Sequence, residues 1–164
     1  MKLKILSISI LIFLNSCKKN NDHYSVDEFM NKVKSESYND IFLPDFEPKD
    51  ISSLLTYRNN KKQLKKYPRN PTSSFICDSV TVGIIALWTI ESIRISELNG
   101  DTSEFNRFPS RNPMIKDTLK NYLDIFYLQD CASTEYFIWW YNRDLNITDK
   151  LKINPLKNSK LVWN

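Results

Sequence analysis

Glu91 and Arg94 are the residues of this sequence best placed to do chemistry, because both lie in a strongly apolar stretch, three residues apart. On a helix this spacing brings the side chains within reach of each other, and a buried carboxylate must be paired, solvated or neutral. The pattern favours a structural role, an ion pair or a backbone cap. The alternative, a glycosidase-like general acid, needs a second carboxylate facing a cleft.

Composition excludes most other catalytic sites. The one histidine, His23, lies in a short polar stretch near the N-terminus, so the folded part has no histidine for a catalytic triad or a histidine-rich zinc site. Gly83 and Gly100 are the only glycines, which is too few for a glycine-rich phosphate or dinucleotide loop. No acidic stretch has EF-hand spacing. We predict no catalytic residue, no metal and no cofactor, and we favour a protein that is not an enzyme.

Trp139, Trp140 and Tyr141 form an aromatic cluster together with Phe137. Adjacent residues of a helix point about 100° apart, so the two tryptophans cannot face one core equally. We favour packing between helices. The alternative is a contact surface for a glycan or a peptide, because aromatic side chains supply rigid contact area.

Cys17 follows a leader. Lys2 and Lys4 precede an apolar run from Ile5 to Leu14, whose 10 residues are too few for a bilayer span of about 20. The run ends in Leu14-Asn15-Ser16-Cys17, which resembles the lipobox of bacterial lipoproteins, with the asparagine as a mild departure. The resemblance implies cleavage before the cysteine and acylation of its sulfur and new amine, and two or more acyl chains hold firmly to a membrane. The alternative is an ordinary secretory signal.

These patterns predict a signal peptide over 1–16, a lipidated cysteine and tether over 17–24, and a helical domain over 25–164. The residues after the cysteine begin with Lys18-Lys19. Similarity to lipoprotein sorting in Gram-negative cells favours the outer membrane, because no aspartate follows the cysteine. A basic rather than acidic stretch favours its periplasmic face over the cell surface.

Cys77 and Cys131 remain once Cys17 carries lipid. Thiols outside the cytoplasm are commonly oxidised, so a disulfide between the two is one interpretation. Both cysteines also lie at predicted helix starts among apolar residues, where a free cysteine behaves as a small hydrophobic residue. We predict two reduced, largely buried thiols.

The chain as a whole has the composition of one globular, mainly α domain, since 41% of its residues are apolar and glycine is too rare for an all-β sandwich. Ser25 and Glu28 have the spacing of a capping box, which marks a helix start. The central stretch is apolar on nearly every side, which indicates a helix surrounded by others. Helices are predicted at about 26–36, 49–57, 74–98, 113–127 and 131–143, with Leu161-Val162-Trp163 docked on the body.

Asn-Pro recurs at 70–71, 112–113 and 154–155, with a spacing of 42 residues. This period lies in the range of HEAT and armadillo repeats and suggests stacked α-hairpins. Asn-Pro also suits any helix start, with Asn as the cap and Pro at the first position, which leaves an irregular helical domain as the other interpretation.

The lysine run Lys61, Lys62, Lys65 and Lys66 predicts a solvated helix face or loop rather than a site for nucleic acid or anionic lipid. Without Lys2 and Lys4, 21 basic residues face 19 acidic ones, so the charge is nearly balanced. No stacking aromatics are interleaved with the run. We expect no nucleic-acid partner.

Six segments carry a pattern of known type: Leu43-Pro44-x-Phe46, Asp50-Ile51-x-x-Leu54-Leu55-x-Tyr57-Arg58, Asn70-Pro71-x-Ser73-Ser74, Gly83, Leu87-Trp88-Thr89-Ile90-Glu91-x-Ile93-Arg94 and Phe108-Pro109-Ser110-x-Asn112-Pro113. Their order resembles a family of small Bacteroidetes lipoproteins of unknown function. The resemblance implies anchoring and a helical body, and it implies no activity because the family has none assigned.

The sequence therefore predicts a lipid-anchored protein of the cell envelope that acts as a non-enzymatic binding or interaction module. Its partners would be the membrane, through lipid on Cys17, and a protein or a glycan, with the oligomeric state left open. The alternatives are a small envelope hydrolase that uses carboxylates and an immunity-type inhibitor of a secreted toxin.

Overall fold

The computed structural model describes residues 24–74, 80–100, 107–119 and 124–164. The predictions for residues 1–23 and for Cys77 lie outside these ranges. The described chain is mainly α, with two small antiparallel pairs of strands. Its elements are α1 (Val26–Lys34), a 3-10 helix (Pro48–Asp50), α2 (Ile51–Leu55), β1 (Gln63–Leu64), β2 (Val80–Thr81), α3 (Val82–Asn99), β3 (Ile115–Asp117), α4 (Ile125–Tyr141), α5 (Ile147–Lys152) and β4 (Leu161–Trp163).

Helix α3 is the centre of the fold, and every residue from Val82 to Arg94 is buried. It packs against α1, α2, α4 and α5, which confirms a helix surrounded by others. The helix ends at Gly100, whose φ of 59° is the left-handed conformation that glycine adopts without strain. It begins at residue 82 rather than 74, because Val80–Thr81 pair with β1 and the Thr81 hydroxyl then caps the helix by accepting the Ile84 N–H.

Helix α1 begins as predicted. The Ser25 hydroxyl accepts the Glu28 N–H at 3.2 Å, and the Glu28 carboxylate accepts the Ser25 N–H at 3.0 Å. Two charges of the right sign for the helix dipole lie at each end. The buried face consists of Val26, Phe29, Met30 and Val33.

The predicted helix over 113–127 is wrong. Residues 115–117 form β3, which pairs with β4 in the register Ile115↔Trp163, and residues 120–123 lie outside the described ranges. Helix α4 begins at Ile125, six residues before the predicted start, because the Asp124 carboxylate accepts the N–H groups of two residues of the first turn. Pairing with a strand far along the chain has overridden the local apolar spacing.

The three Asn-Pro pairs do not begin helices in the described residues. The Asn70 side chain accepts the Thr72 N–H at 3.0 Å, and the Asn154 side chain accepts the Leu156 N–H at 2.9 Å, so two of the pairs form Asx turns. Asn112 is instead buried beside Ser73, whose hydroxyl lies 2.8 Å from the Asn112 side-chain oxygen. The period of 42 therefore marks turns and loops, and it lends no support to HEAT-like stacking.

One hydrophobic core extends from Val26 to Leu161 and includes residues of every α-helix and every strand of the described chain. A polypeptide that begins after Cys17 thus contains every core residue of the described chain. Among the described residues no helix combines the length and the apolar character needed to cross a membrane.

Candidate functional site

Glu91 and Arg94 lie against each other inside the domain. Arg94 Nε donates to Glu91 Oε2 at 3.0 Å and Nη2 donates to Oε1 at 2.5 Å, so the pair is bidentate. The two residues are 4% and 8% exposed. Such a pair recovers its desolvation cost only if the remaining polar atoms also find partners.

Those partners come from three other elements. Tyr136 of α4 donates its hydroxyl to Glu91 Oε2 at 2.8 Å, and Trp163 of β4 donates its indole N–H to the Tyr136 hydroxyl at 2.9 Å. Arg94 Nη1 donates to the carbonyl of Leu151 in α5 at 3.3 Å. This set, hereafter the buried network, joins α3, α4, α5 and β4 at one point.

The electrostatics of the buried network raise the pKa values of Tyr136 and Arg94. Burial, with the charge of Glu91 second, raises the pKa of Tyr136 well above its usual 10, so its hydroxyl stays a hydrogen-bond donor. Burial acts to lower the pKa of Arg94, but the hydrogen bonds and charge of Glu91 outweigh it and raise that pKa. A carboxylate engaged by three donors in the interior is placed to hold helices together, not to protonate an external substrate.

A second buried cluster surrounds Gly83 at the start of α3. Gln129 of α4 donates its amide to the carbonyls of Arg58 at 2.8 Å and Asn60 at 3.2 Å, and it accepts the Thr81 hydroxyl at 2.8 Å. A Cβ on Gly83 would lie 2.1 Å from Gln129 Nε2 and 2.4 Å from the Arg58 carbonyl oxygen. The residue must be glycine because the loop before β1 crosses directly over the helix.

The aromatic cluster divides between core and surface. Trp139 and Trp140 are buried at 6% and 8% exposure, and their indole N–H groups donate to the Lys150 carbonyl and the Ser52 hydroxyl, each at 2.8 Å. They therefore pack between helices. Of the three predicted contact aromatics, Tyr141 alone is exposed, at 50%.

Tyr141 belongs to an exposed apolar stripe on α4. Phe137 and Ile138 are 40% and 60% exposed and lie on the same side of the helix, one turn before Tyr141. The Phe137 and Tyr141 ring centroids are 4.7 Å apart, and the guanidinium of Arg58 lies 4.4 Å from the Phe137 centroid. These four residues are hereafter the α4 aromatic face.

Comparison with known families matches residues 20–164 to a domain of unknown function, DUF4943. The chain belongs to this family. The match includes every described element of the DUF4943 domain. Neither the curated proteins nor the solved structures contain a match.

The other predicted residues of the DUF4943 domain have separate positions. Cys131 is a free thiol, as predicted, although it is only partly buried. Lys61 donates to the Phe126 carbonyl at 2.8 Å, and Lys62 donates to the Lys34 carbonyl at 2.6 Å, so these two lysines hold the loop in place. In the described ranges no group of three or more histidine, cysteine or acidic residues is placed to hold a metal ion.

Proposed function

We propose that this chain is a lipid-anchored lipoprotein of the cell envelope, of the kind found in Bacteroidetes, and that its DUF4943 domain is a non-enzymatic module that binds a protein partner through the α4 aromatic face. The leader and the Leu14-Asn15-Ser16-Cys17 pattern support the anchor. The absence of an aspartate next to the cysteine supports the outer membrane, and the basic residues that follow the cysteine support its periplasmic side.

The observation that carries the binding role is the exposure of Phe137, Ile138 and Tyr141 on one side of α4. The opposite side of α4 already packs in the core, so the exposed apolar groups add nothing to the stability of the domain. Exposed apolar groups that lie together commonly mark an interaction site. Tyrosine and arginine are also the residues most enriched among those that dominate binding energy at protein interfaces. The Phe137 ring is already contacted by Arg58 and Tyr141, which favours a protein partner over a sugar that would need an open ring face.

Photo-crosslinking tests the binding role. Benzoylphenylalanine replaces Ile138 in the full chain, expressed in its own host, and a matched variant carries it at Lys157, which is exposed in the turn after α5. We expect one discrete adduct from position 138 and none from 157, and Arg58→Glu should reduce the adduct. The proposal fails if neither position gives an adduct or if both give the same ones. An adduct of twice the chain mass would show that the partner is a second copy of this chain.

Metabolic labelling with an alkyne fatty acid tests the anchor. We expect labelled wild-type protein in the membrane fraction, and we expect Cys17→Ala to lose the label because no thiol remains to be acylated at the cleavage site. Cys131→Ala is the matched control and should be labelled like the wild type. Equal labelling of wild type and Cys17→Ala would show that the lipid is not on Cys17 and would refute the proposed anchor, and no label on either protein would indicate an ordinary secretory signal.

A further inference from the structure

An open groove of about 580 Å³ lies between residues 38–41 on one side and 65–71 on the other. This volume is in the usual range of small-ligand sites. Its lining includes Tyr38 and Pro68, which are both buried. We refer to it as the basic groove, because of the charges that line it.

Three cations line the basic groove against one acid. Lys65, Lys66 and Arg69 are exposed, and within the described part of the chain none of the three forms an ion pair; Lys66 Nζ donates to the neutral Asn39 side chain at 2.5 Å. Asp40 is the acidic residue of the lining. The lining of the groove therefore has an excess of positive charge that no ion pair among the described residues neutralises.

A nearby carboxylate fixes the backbone that carries these cations. Glu36, which has a φ of 57°, accepts the backbone N–H groups of Lys65 at 3.5 Å and Lys66 at 3.3 Å. Its oxygens accept from the backbone and not from the lysine side chains, which remain exposed, with Lys66 Nζ on the Asn39 side chain. The arrangement presents the cations from a constrained loop.

The basic groove also lies where the domain meets its tether. Tyr24, the first described residue, donates its hydroxyl to Asp40 in the groove wall at 3.5 Å, and its ring is 5.9 Å from that of Tyr38. Cys17 is seven residues earlier, and seven residues span at most about 25 Å. On the proposed lipid anchor, on which this step rests, Tyr24 at the edge of the groove stays within that distance of the bilayer surface.

We propose that the basic groove binds the phosphate of an anionic phospholipid headgroup in the membrane that holds the anchor. Lysine and arginine side chains suit phosphate oxygens, and basic residues beside a membrane are attracted to anionic lipids. Ile41, which lines the groove and is 61% exposed, supplies an apolar contact for the glycerol and the upper acyl chain. A site for free phosphate would have no use for that side chain.

Vesicle flotation of residues 18–164, which contain every core residue of the described chain but carry no lipid, tests the groove apart from the anchor. We expect binding to phosphatidylcholine vesicles that contain one quarter phosphatidylglycerol, and little binding to pure phosphatidylcholine. Lys65→Gln with Arg69→Gln should weaken partitioning about 25-fold, because each basic side chain near an anionic surface contributes about fivefold. The charge-matched control, Lys157→Gln with Lys160→Gln, removes two exposed lysines outside the groove and should have a much smaller effect.

Two further arms identify the ligand. Ile41→Ser should weaken vesicle binding, and millimolar inorganic phosphate at constant ionic strength should leave most of it intact. Equal losses in the groove and control variants would mean that only net charge matters, and they would overturn the proposal. Full competition by phosphate, or no binding to anionic vesicles, would also overturn it. Since the fragment lacks Cys17, these outcomes do not depend on the fatty-acid labelling, which reports the anchor alone.

Discussion

Replacing Arg94 by methionine tests the role assigned to the buried network. The change removes two hydrogen bonds to Glu91 and one to the Leu151 carbonyl, and it leaves the carboxylate with the Tyr136 hydroxyl as its partner in the network. Removing one partner of a buried ion pair costs about 3–5 kcal/mol, against a total stability of about 5–15 kcal/mol for a domain. With a urea m-value of about 2 kcal/mol/M, the unfolding midpoint should fall by about 2 M.

Equilibrium urea unfolding of residues 18–164, followed by tryptophan fluorescence, measures this loss. The double variant Glu91→Met, Arg94→Met is the control, because an apolar pair of similar volume avoids burying an unpaired charge. We expect it to recover most of the stability, less about 1 kcal/mol for the acceptor that Tyr136 loses. A cost below about 1 kcal/mol for Arg94→Met, or a double variant no more stable than the single one, would show that the pair is not an obligate partnership.

Three further predictions use the same unfolding assay. Leu87→Ala should cost about 2–5 kcal/mol, because Leu87 is fully buried at the centre of α3, and a loss under about 1 kcal/mol would refute that position. Gly83→Ala should cost about 1–3 kcal/mol or more, because its Cβ overlaps Gln129 and the Arg58 carbonyl; wild-type stability would mean that the loop is not held there. Tyr136→Phe should reduce the loss of stability at alkaline pH. Above pH 10 the folded state keeps the Tyr136 proton while the unfolded state releases it, so in the wild type this group lowers the free energy of unfolding by about 1.4 kcal/mol per pH unit. An unchanged slope would contradict the raised pKa of Tyr136.

Local signals predicted the elements whose causes are local. The capping box at Ser25 and Glu28 acts within a few residues, and it is present. The three-residue spacing of Glu91 and Arg94 likewise set their separation once α3 formed. In each case the chemistry that decides the structure lies inside one turn of chain.

Long-range contacts decided what the sequence missed. Ile115 is in a strand because Trp163 pairs with it from β4, and nothing near residue 115 indicates that partner. Tyr136 and Trp163 complete the buried network; the tail that carries Trp163 is docked on the body as predicted, but its sequence does not indicate that it meets Tyr136 there. A scan for residues at helical spacing from Glu91 cannot find groups that arrive from other elements.

Helix α4 shows the limit of periodicity. It is apolar on nearly every side, so its sequence does not indicate which side faces water. Trp139 and Trp140 are inside because Lys150 and Ser52 offer acceptors for their indole N–H groups, while the smaller Ile138 is left outside. Partners supplied by α5 and α2 decided the orientation.

The position of α3 also determines how the domain acquires its structure. From Val82 to Arg94 the helix is buried on every side. It is therefore fully buried only when all of its neighbouring helices are in place. Two of the helices that pack on it, α1 and α2, precede it in the sequence, and the other two, α4 and α5, follow it. The folding nucleus must therefore bring together segments from most of the chain. The backbone amides of Val82 to Arg94 should therefore exchange with deuterium only when the whole domain opens, and detachment of any one covering helix should unfold the rest with it.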